Sequence, residues 1–181
     1  RHQKDFSFYM KRCMLTIEED EDASRYFQYG RYLMVSAGRE HSSPMNLQGI
    51  WNYQFAPSWD SKYTININEQ MNYWPACSTN LSECTWPLID FIRSLVKPGE
   101  KTAQAYFNAR GWTASISANI FGFTAPLSSK YMTWNLIPTA GPWLATHIWE
   151  YYDYTHDKEF LKEIGYGLIK SSAQFAVDHY G

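Results

Sequence analysis

The sequence is short of charge: 19% of its residues are Asp, Glu, Lys or Arg, below the usual quarter. The 16 basic residues are balanced by 18 acidic ones for a net charge of −2, so there is no basic excess of the kind that nucleic acid or an anionic membrane attracts. Cysteines are few and odd in number. Cys13, Cys77 and Cys84 form no CxxC and fall at no metal-ligand spacing with the five histidines, which supports neither a disulfide framework nor a zinc site. No apolar run approaches the ~18 residues of a membrane helix. The opening residues RHQKDFSFYM lack the apolar core of a signal peptide, which leaves the compartment unread. GxSxG, Walker A and HExxH are also missing, so serine triads, nucleotides and zinc peptidases find no support.

Aromatic residues are abundant. Eight Trp, 14 Tyr and 10 Phe make up 18% of the 181 residues, while mean hydropathy stays at −0.46. Most such rings belong in a core, and this length suffices for one domain with a sizeable one. A subset lining a cleft suits a ligand with apolar faces and polar edges, and sugars are such ligands.

Residues 1–22 read as an incoming segment, with a short strand at RCMLTI and then the acidic run EEDED as a solvated turn. A helix is predicted from Ser24 as N-cap to about Ala37, with Tyr26, Tyr29, Leu33 and Ala37 in one stripe and Gly38 as its stop. Residues 39–62 have no sustained periodicity and carry two tryptophans; a loop this long inside a compact domain usually has a task. From Tyr63 to Asn68 the chain alternates as a strand does, with Tyr63, Ile65 and Ile67 on one face and Thr64, Asn66 and Asn68 on the other. Thr85 caps a short helix with Leu88, Phe91, Ile92 and Leu95 inward, ended by KPGE, and another helix covers about 99–108. After a second long aromatic loop, 109–140, helices are predicted at about 142–154 and 158–180. The latter is capped by Asp157, with Phe160, Ile164, Leu168, Phe175 and His179 in a stripe. Helices joined alternately by short turns and long loops suit an α/α barrel of hairpins, in which the long loops gather at one end and can form a cleft there.

Two constellations can carry chemistry. In GPWLATHIWEYYDY, Trp143, His147, Glu150 and Tyr154 share a helix face. A carboxyl held among rings and away from water has its pKa raised, which suits a general acid; the alternative is an exposed Glu paired with a nearby base. Asn66 and Asn68 either satisfy backbone groups at a strand end or hold a water between amides, which can bind it but cannot take its proton. His147 reads as a helix-face residue bonded to a carbonyl or as a sugar contact, and Arg110 as a structural ion pair or a sugar-hydroxyl ligand.

The blocks FQYGRYLMVSAGRE, NLQGIWN, KYTININEQMNYWPA, NLSE, ARGW and PWLATHIWEYYDYTHDKEFL occur in the order seen in glycoside hydrolase family 95, the inverting α-L-fucosidase and α-L-galactosidase family, which the chain resembles over about residues 24–181. The resemblance implies an all-α fold, part of an (α/α)6 barrel. Residues 1–22 would be linker and 23–181 the first part of the catalytic domain. It implies terminal α-linked L-fucose or L-galactose as substrate, no metal or organic cofactor, a secreted or periplasmic setting, and the remainder of the barrel as partner. Carried over residue by residue, Glu150 is the acid that protonates the glycosidic oxygen, and Asn66 and Asn68 position the attacking water. The Asp base lies beyond the matched stretch. Thr64 would touch the sugar's C5 substituent, and Trp51, Trp112 and Trp134 would be walls, with Arg110 and His147 as further substrate contacts.

The chain departs from that pattern where relatives carry HHNTDIW, having TASISANIFGF from Thr113 to Phe123, so sugar contacts made there differ. Two other functions fit the same composition: a carbohydrate-binding α-domain without an acid, and a helical interaction module.

Overall fold

The structure is a computed structural model that describes residues 2–127, 130 and 132–181, with the backbone alone for 2–4. It is all-α. In chain order the helices are α1 (His2–Lys11), α2 (Glu21–Ala37), α3 (Asn68–Ser78), α4 (Trp86–Phe107), α5 (Met132–Asn135) and α6 (Ala140–Thr155). A final helix begins as α7 (Lys158–Phe160), loosens into a π-turn at Leu161–Gly165 and continues as α8 (Tyr166–Tyr180).

α3 and α6 pack side by side and run parallel. At one end, near the start of α3, the Ile65 N–H donates to Ile116 O at 3.3 Å and the Ile116 N–H to Asn135 O at 3.5 Å, shortly before α6 begins. At the other end, Cys77 Sγ lies 3.9 Å from Thr85 Oγ1. The neighbouring Trp86 ring meets Tyr151 of α6 and Phe160 edge-on at 5.9 and 5.8 Å. The short turns after α3 and α6 therefore share the second end, and the long loops 39–67 and 108–139 share the first. This is the hairpin arrangement of part of an (α/α)6 barrel.

The core between these helices is apolar and fully closed at Ile65, Leu81, Leu88, Ile89, Ile92, Leu95, Leu144 and Ile148, each 0% exposed. The inward residues of α4 are those its sequence spacing predicts, and so are Phe160 and Phe175 of the last helix. The Asp157 cap is also as expected, its carboxylate accepting from the Phe160 N–H at 2.9 Å.

Several expectations fail for identifiable reasons. Residues 63–68 form no strand. Among the described residues Asn46 and Gly49 make the one isolated bridge, and an alternating segment without a partner strand has no ladder to join. It turns instead into α3, a helix not predicted from the sequence, which has Pro75 inside it. The carbonyl that Pro75 deprives of a donor is Met71's, on a half-exposed residue, where water can serve it. Likewise α4 runs unbroken through Pro98, because the carbonyl left over belongs to exposed Ser94. RCMLTI is not a strand either, and α2 is capped by Asp20, which accepts from the Ala23 N–H, not by Ser24. Tyr26 and Tyr29 point outward, and the buried face of α2 is Arg31, Met34, Val35 and Ala37. Arg31 can be interior because its guanidinium donates to the carbonyls of Tyr9, Met10, Cys13 and Thr79, and burial lowers its pKa.

Candidate active site

The first turn of α3 leaves several backbone N–H groups without intrahelical partners, and no side chain caps it. The carbonyl of Thr64 does so, accepting from the Asn68 N–H at 3.2 Å and from the Ile67 and Glu69 N–H groups at 3.5 Å. For this Thr64 adopts φ +55°, a left-handed conformation that is strained for a β-branched residue. The side chains of Asn66 and Asn68 are thereby released from capping, the common duty of asparagine at a helix start.

Both amides line a cavity of about 440 Å³, together with Leu47, Trp59, Thr64, Ile116, Trp134 and Ile137. This volume lies within the range of small-molecule sites. Trp59 and Trp134 close one side, meeting edge-on at 6.1 Å. Trp59 is set by an unusual backbone run, since Trp59, Asp60 and Ser61 all have φ between 50° and 55°. The Lys62 to Asp60 ion pair at 2.7 Å lies across that run. Ile116, Trp134 and Ile137 come from the second long loop, which is pinned through buried Asn135. Its Nδ2 donates to Ser117 Oγ at 2.7 Å, and its Oδ1 accepts from the Leu127 N–H at 2.9 Å. Thr113, Ser115 and Ser117 are buried in that loop, so the segment that departs from the family pattern gives the cavity an apolar residue, Ile116.

Of the residues singled out from sequence, the cavity gathers Asn66, Asn68, Thr64 and Trp134. It does not gather the others. Glu150 lies ten residues into α6, about 15 Å along the helix from its cavity end. There it acts on Cys77 in the last turn of α3, and its Oε2 lies 3.2 Å from His147 Nδ1. The carboxyl thus has a neighbour on its own helix and is half-buried. The face shared with aromatic residues is real, but parallel packing carries it to the short-turn end. His147 is buried with its Nε2 unpartnered and likewise does not line the cavity. Trp112 is fully buried and donates its indole N–H to Leu168 O. It packs where Gly99 lets two backbones approach: a Cβ there would lie 2.7 Å from Thr113 O. Arg110 is exposed and forms a two-pronged pair with Asp178 at 2.8 and 2.9 Å, which holds the Asp178 carboxyl down at about 2. Trp51 faces a separate depression with Leu33, Met34 and Pro75.

Trp59 was passed over in the sequence, where it looks like any loop tryptophan. Its nearness to Thr64 was the available signal. Glu69 and Gln70 were missed too. Both are 0% exposed in the first turn of α3, and burial raises the Glu69 carboxyl well above its ordinary value, with a hydrogen bond from Asn72 opposing the rise.

The model of the Glycosyl hydrolase family 95 catalytic domain matches residues 9–180. Alpha-L-fucosidase 2 of Arabidopsis thaliana is 44% identical over 166 residues, 90% of this chain and 20% of that protein. Probable alpha-fucosidase A of Aspergillus niger is 38% identical over 151 residues, 82% of this chain and 19% of its own length. The chain thus spans about a fifth of these relatives. With nearly its whole length matched, the chain belongs to glycosyl hydrolase family 95.

Proposed function

We propose that this chain forms the water-holding wall of a glycoside hydrolase site that releases terminal α-L-fucose, or the related L-galactose, with inversion. The observation that carries it is the placement of Asn66 and Asn68 on one cavity, their side chains spared from capping by Thr64 O. Two amides can bind a water through donor and acceptor edges at once, and orienting a nucleophile is worth large rate factors. Fucosidase names among the relatives and the apolar wall of Trp59, Trp134, Ile116 and Ile137 support a deoxy sugar. Thr64, on the same cavity, would meet the C5 substituent.

Inverting hydrolysis needs an acid and a base about 6.5–9.5 Å apart. None of the described cavity-lining residues is acidic, and Glu150 stands at the other end of its helix. Both carboxyl groups therefore come from the remainder of the barrel, and Glu150 keeps a supporting role with His147. Proton NMR of the first-formed fucose, using a protein with the complete barrel, tests the reading: β-L-fucose from an α-L-fucoside is expected, and α-L-fucose would overturn inversion. The 181-residue chain alone is expected to turn over nothing.

That none of the described cavity-lining residues is acidic also favours a second reading, carbohydrate binding without turnover. Saturable L-fucose binding by a complete barrel that hydrolyses no fucoside would establish it.

A further inference from the structure

The first long loop lines the cavity with Leu47 and Trp59, ahead of Thr64 and the amide pair. Core packing does not set the place of Trp59, which is 69% exposed. Its backbone belongs to the left-handed run from Trp59 to Ser61, and such a conformation is strained for residues with a Cβ unless their surroundings hold it. The hold comes from Asn46, a residue that is not among those lining the cavity.

The Asn46 N–H donates to Gly49 O at 3.1 Å and the Gly49 N–H to Asn46 O at 2.9 Å, which closes a two-residue turn with Leu47 and Gln48 at its tip. Asn46 Oδ1 accepts from the Gln48 N–H at 2.8 Å, the local bond by which an Asn side chain fixes a turn. The same oxygen accepts from Ser61 Oγ at 2.9 Å. One atom thus joins the turn that carries Leu47 to the end of the run that carries Trp59, and the Leu47 N–H donates to Lys62 O at 3.2 Å beside it. α3 holds the joined segments in turn: Asn72 Nδ2 donates to Asn46 O at 3.1 Å, and the Tyr73 hydroxyl accepts from the Met45 N–H at 3.0 Å. Asn68 opens that same helix, so the apolar residues of the loop and the amide pair share one support. Both bonds at Oδ1 are accepted, so what the position needs is an oxygen with two lone pairs.

We propose that Asn46 is a positioning residue whose Oδ1 clasps the 45–49 turn to Ser61 and so sets Leu47 and Trp59 as one apolar wall for the sugar. Resting on the hydrolase reading above, this divides the labour of the cavity. Asn66 and Asn68 orient the water and act on kcat, whereas the wall meets the sugar alike in the ground and transition states and acts on KM. Asn46 works only through the residues it holds.

The test uses the protein with the complete barrel. Asn46→Ala is expected to raise KM for an α-L-fucoside roughly tenfold, the scale of one net hydrogen bond, with kcat nearly unchanged. Asn46→Asp keeps an acceptor in the same place and should restore KM to within about twofold of wild type. Ser61→Ala removes the cross-link alone and should raise KM about threefold. Added to Asn46→Ala it should cost nothing further, because both changes break the same bond. An unchanged KM in Ser61→Ala overturns the proposal, whether or not Asn46→Ala folds. Asn46→Asp as weak as Asn46→Ala overturns it as well, since the NH2 edge would then be the working one. So do losses confined to kcat, which would put Asn46 at the reacting atoms, and additive losses, which would mean that the two residues act separately. Calorimetric dissociation constants for L-fucose keep the two readings apart. A complete barrel that hydrolyses no fucoside sinks the hydrolase reading, while fucose binding weakened in Asn46→Ala and restored in Asn46→Asp still supports the clasp.

Discussion

The two ends of the α3–α6 pair treat their polar groups in opposite ways. At the long-loop end, polar groups are released: Thr64 O takes over capping in a strained conformation, and Asn66 and Asn68 face a cavity. At the short-turn end they are tied up. Glu150 lies with His147, Cys77 with Thr85, and Trp86, Tyr151 and Phe160 fill one another's edges. A helix tolerates strain and open polar groups at one end when its other end is closed by packing.

The sharpest way to separate the ends is a matched pair of substitutions. Phe160→Ala removes a ring that is 4% exposed at the closed end. It should cost about 3–5 kcal/mol of stability, read from denaturation midpoints, while the folded fraction keeps its kcat. Asn68→Gly at the open end should do the reverse in a protein with the complete barrel. There kcat should fall by about 10²-fold, the scale of a misplaced reactant, with KM nearly constant and stability down by no more than about 1 kcal/mol. A large stability loss with intact turnover would make the amides structural.

Glu150→Gln tests the acid role that the family resemblance implies for a residue near the closed end. A general acid lost from the site would spare only substrates whose leaving group needs no protonation. From the closed end, the same change should lower kcat by less than about threefold, far short of the 10²–10⁴ that acid–base help supplies, and equally across a leaving-group series. A loss that grows with leaving-group basicity would return Glu150 to the chemistry.

The smallest effect is expected at Arg110 and Asp178, outside both ends. The Asp178 carboxyl is depressed to about 2 by its side-chain and backbone hydrogen bonds from Arg110. Its contribution to stability is therefore complete above the unfolded-state value near 4 and is lost as pH falls through about 2. Melting temperatures of wild type and Arg110→Gln should differ slightly at pH 5 and converge toward pH 2. A gap that persists at pH 2 would mean that the arginine acts through something other than this pair. Solvent screening keeps the gap small, since both side chains are at the surface.

Periodicity and punctuation in the sequence determined much of the fold. The apolar spacing of 86–95 gave the buried face of α4, Asp157 fixed the start of the last helix, and Gly38 stopped α2. These signals act within one or two turns of chain, so local pattern suffices to read them. The TININ block gave the amide pair and Thr64, and with NLQGIWN it carried the family resemblance. Pattern failed where the answer depended on what lies across a gap. Tyr63–Asn68 alternates like a strand, but no strand among the described residues pairs with it. Pro98 in KPGE reads as a helix end, yet its lost hydrogen bond falls on the solvent side. Glu150 shares a face with aromatic residues, but a face does not say which end of a barrel it occupies. Only the parallel packing of α3 on α6 decided that. Helical phase is set by bonds between residues three and four apart, whereas a site is set by side chains from segments far apart in sequence, whose relative position is fixed only by tertiary packing.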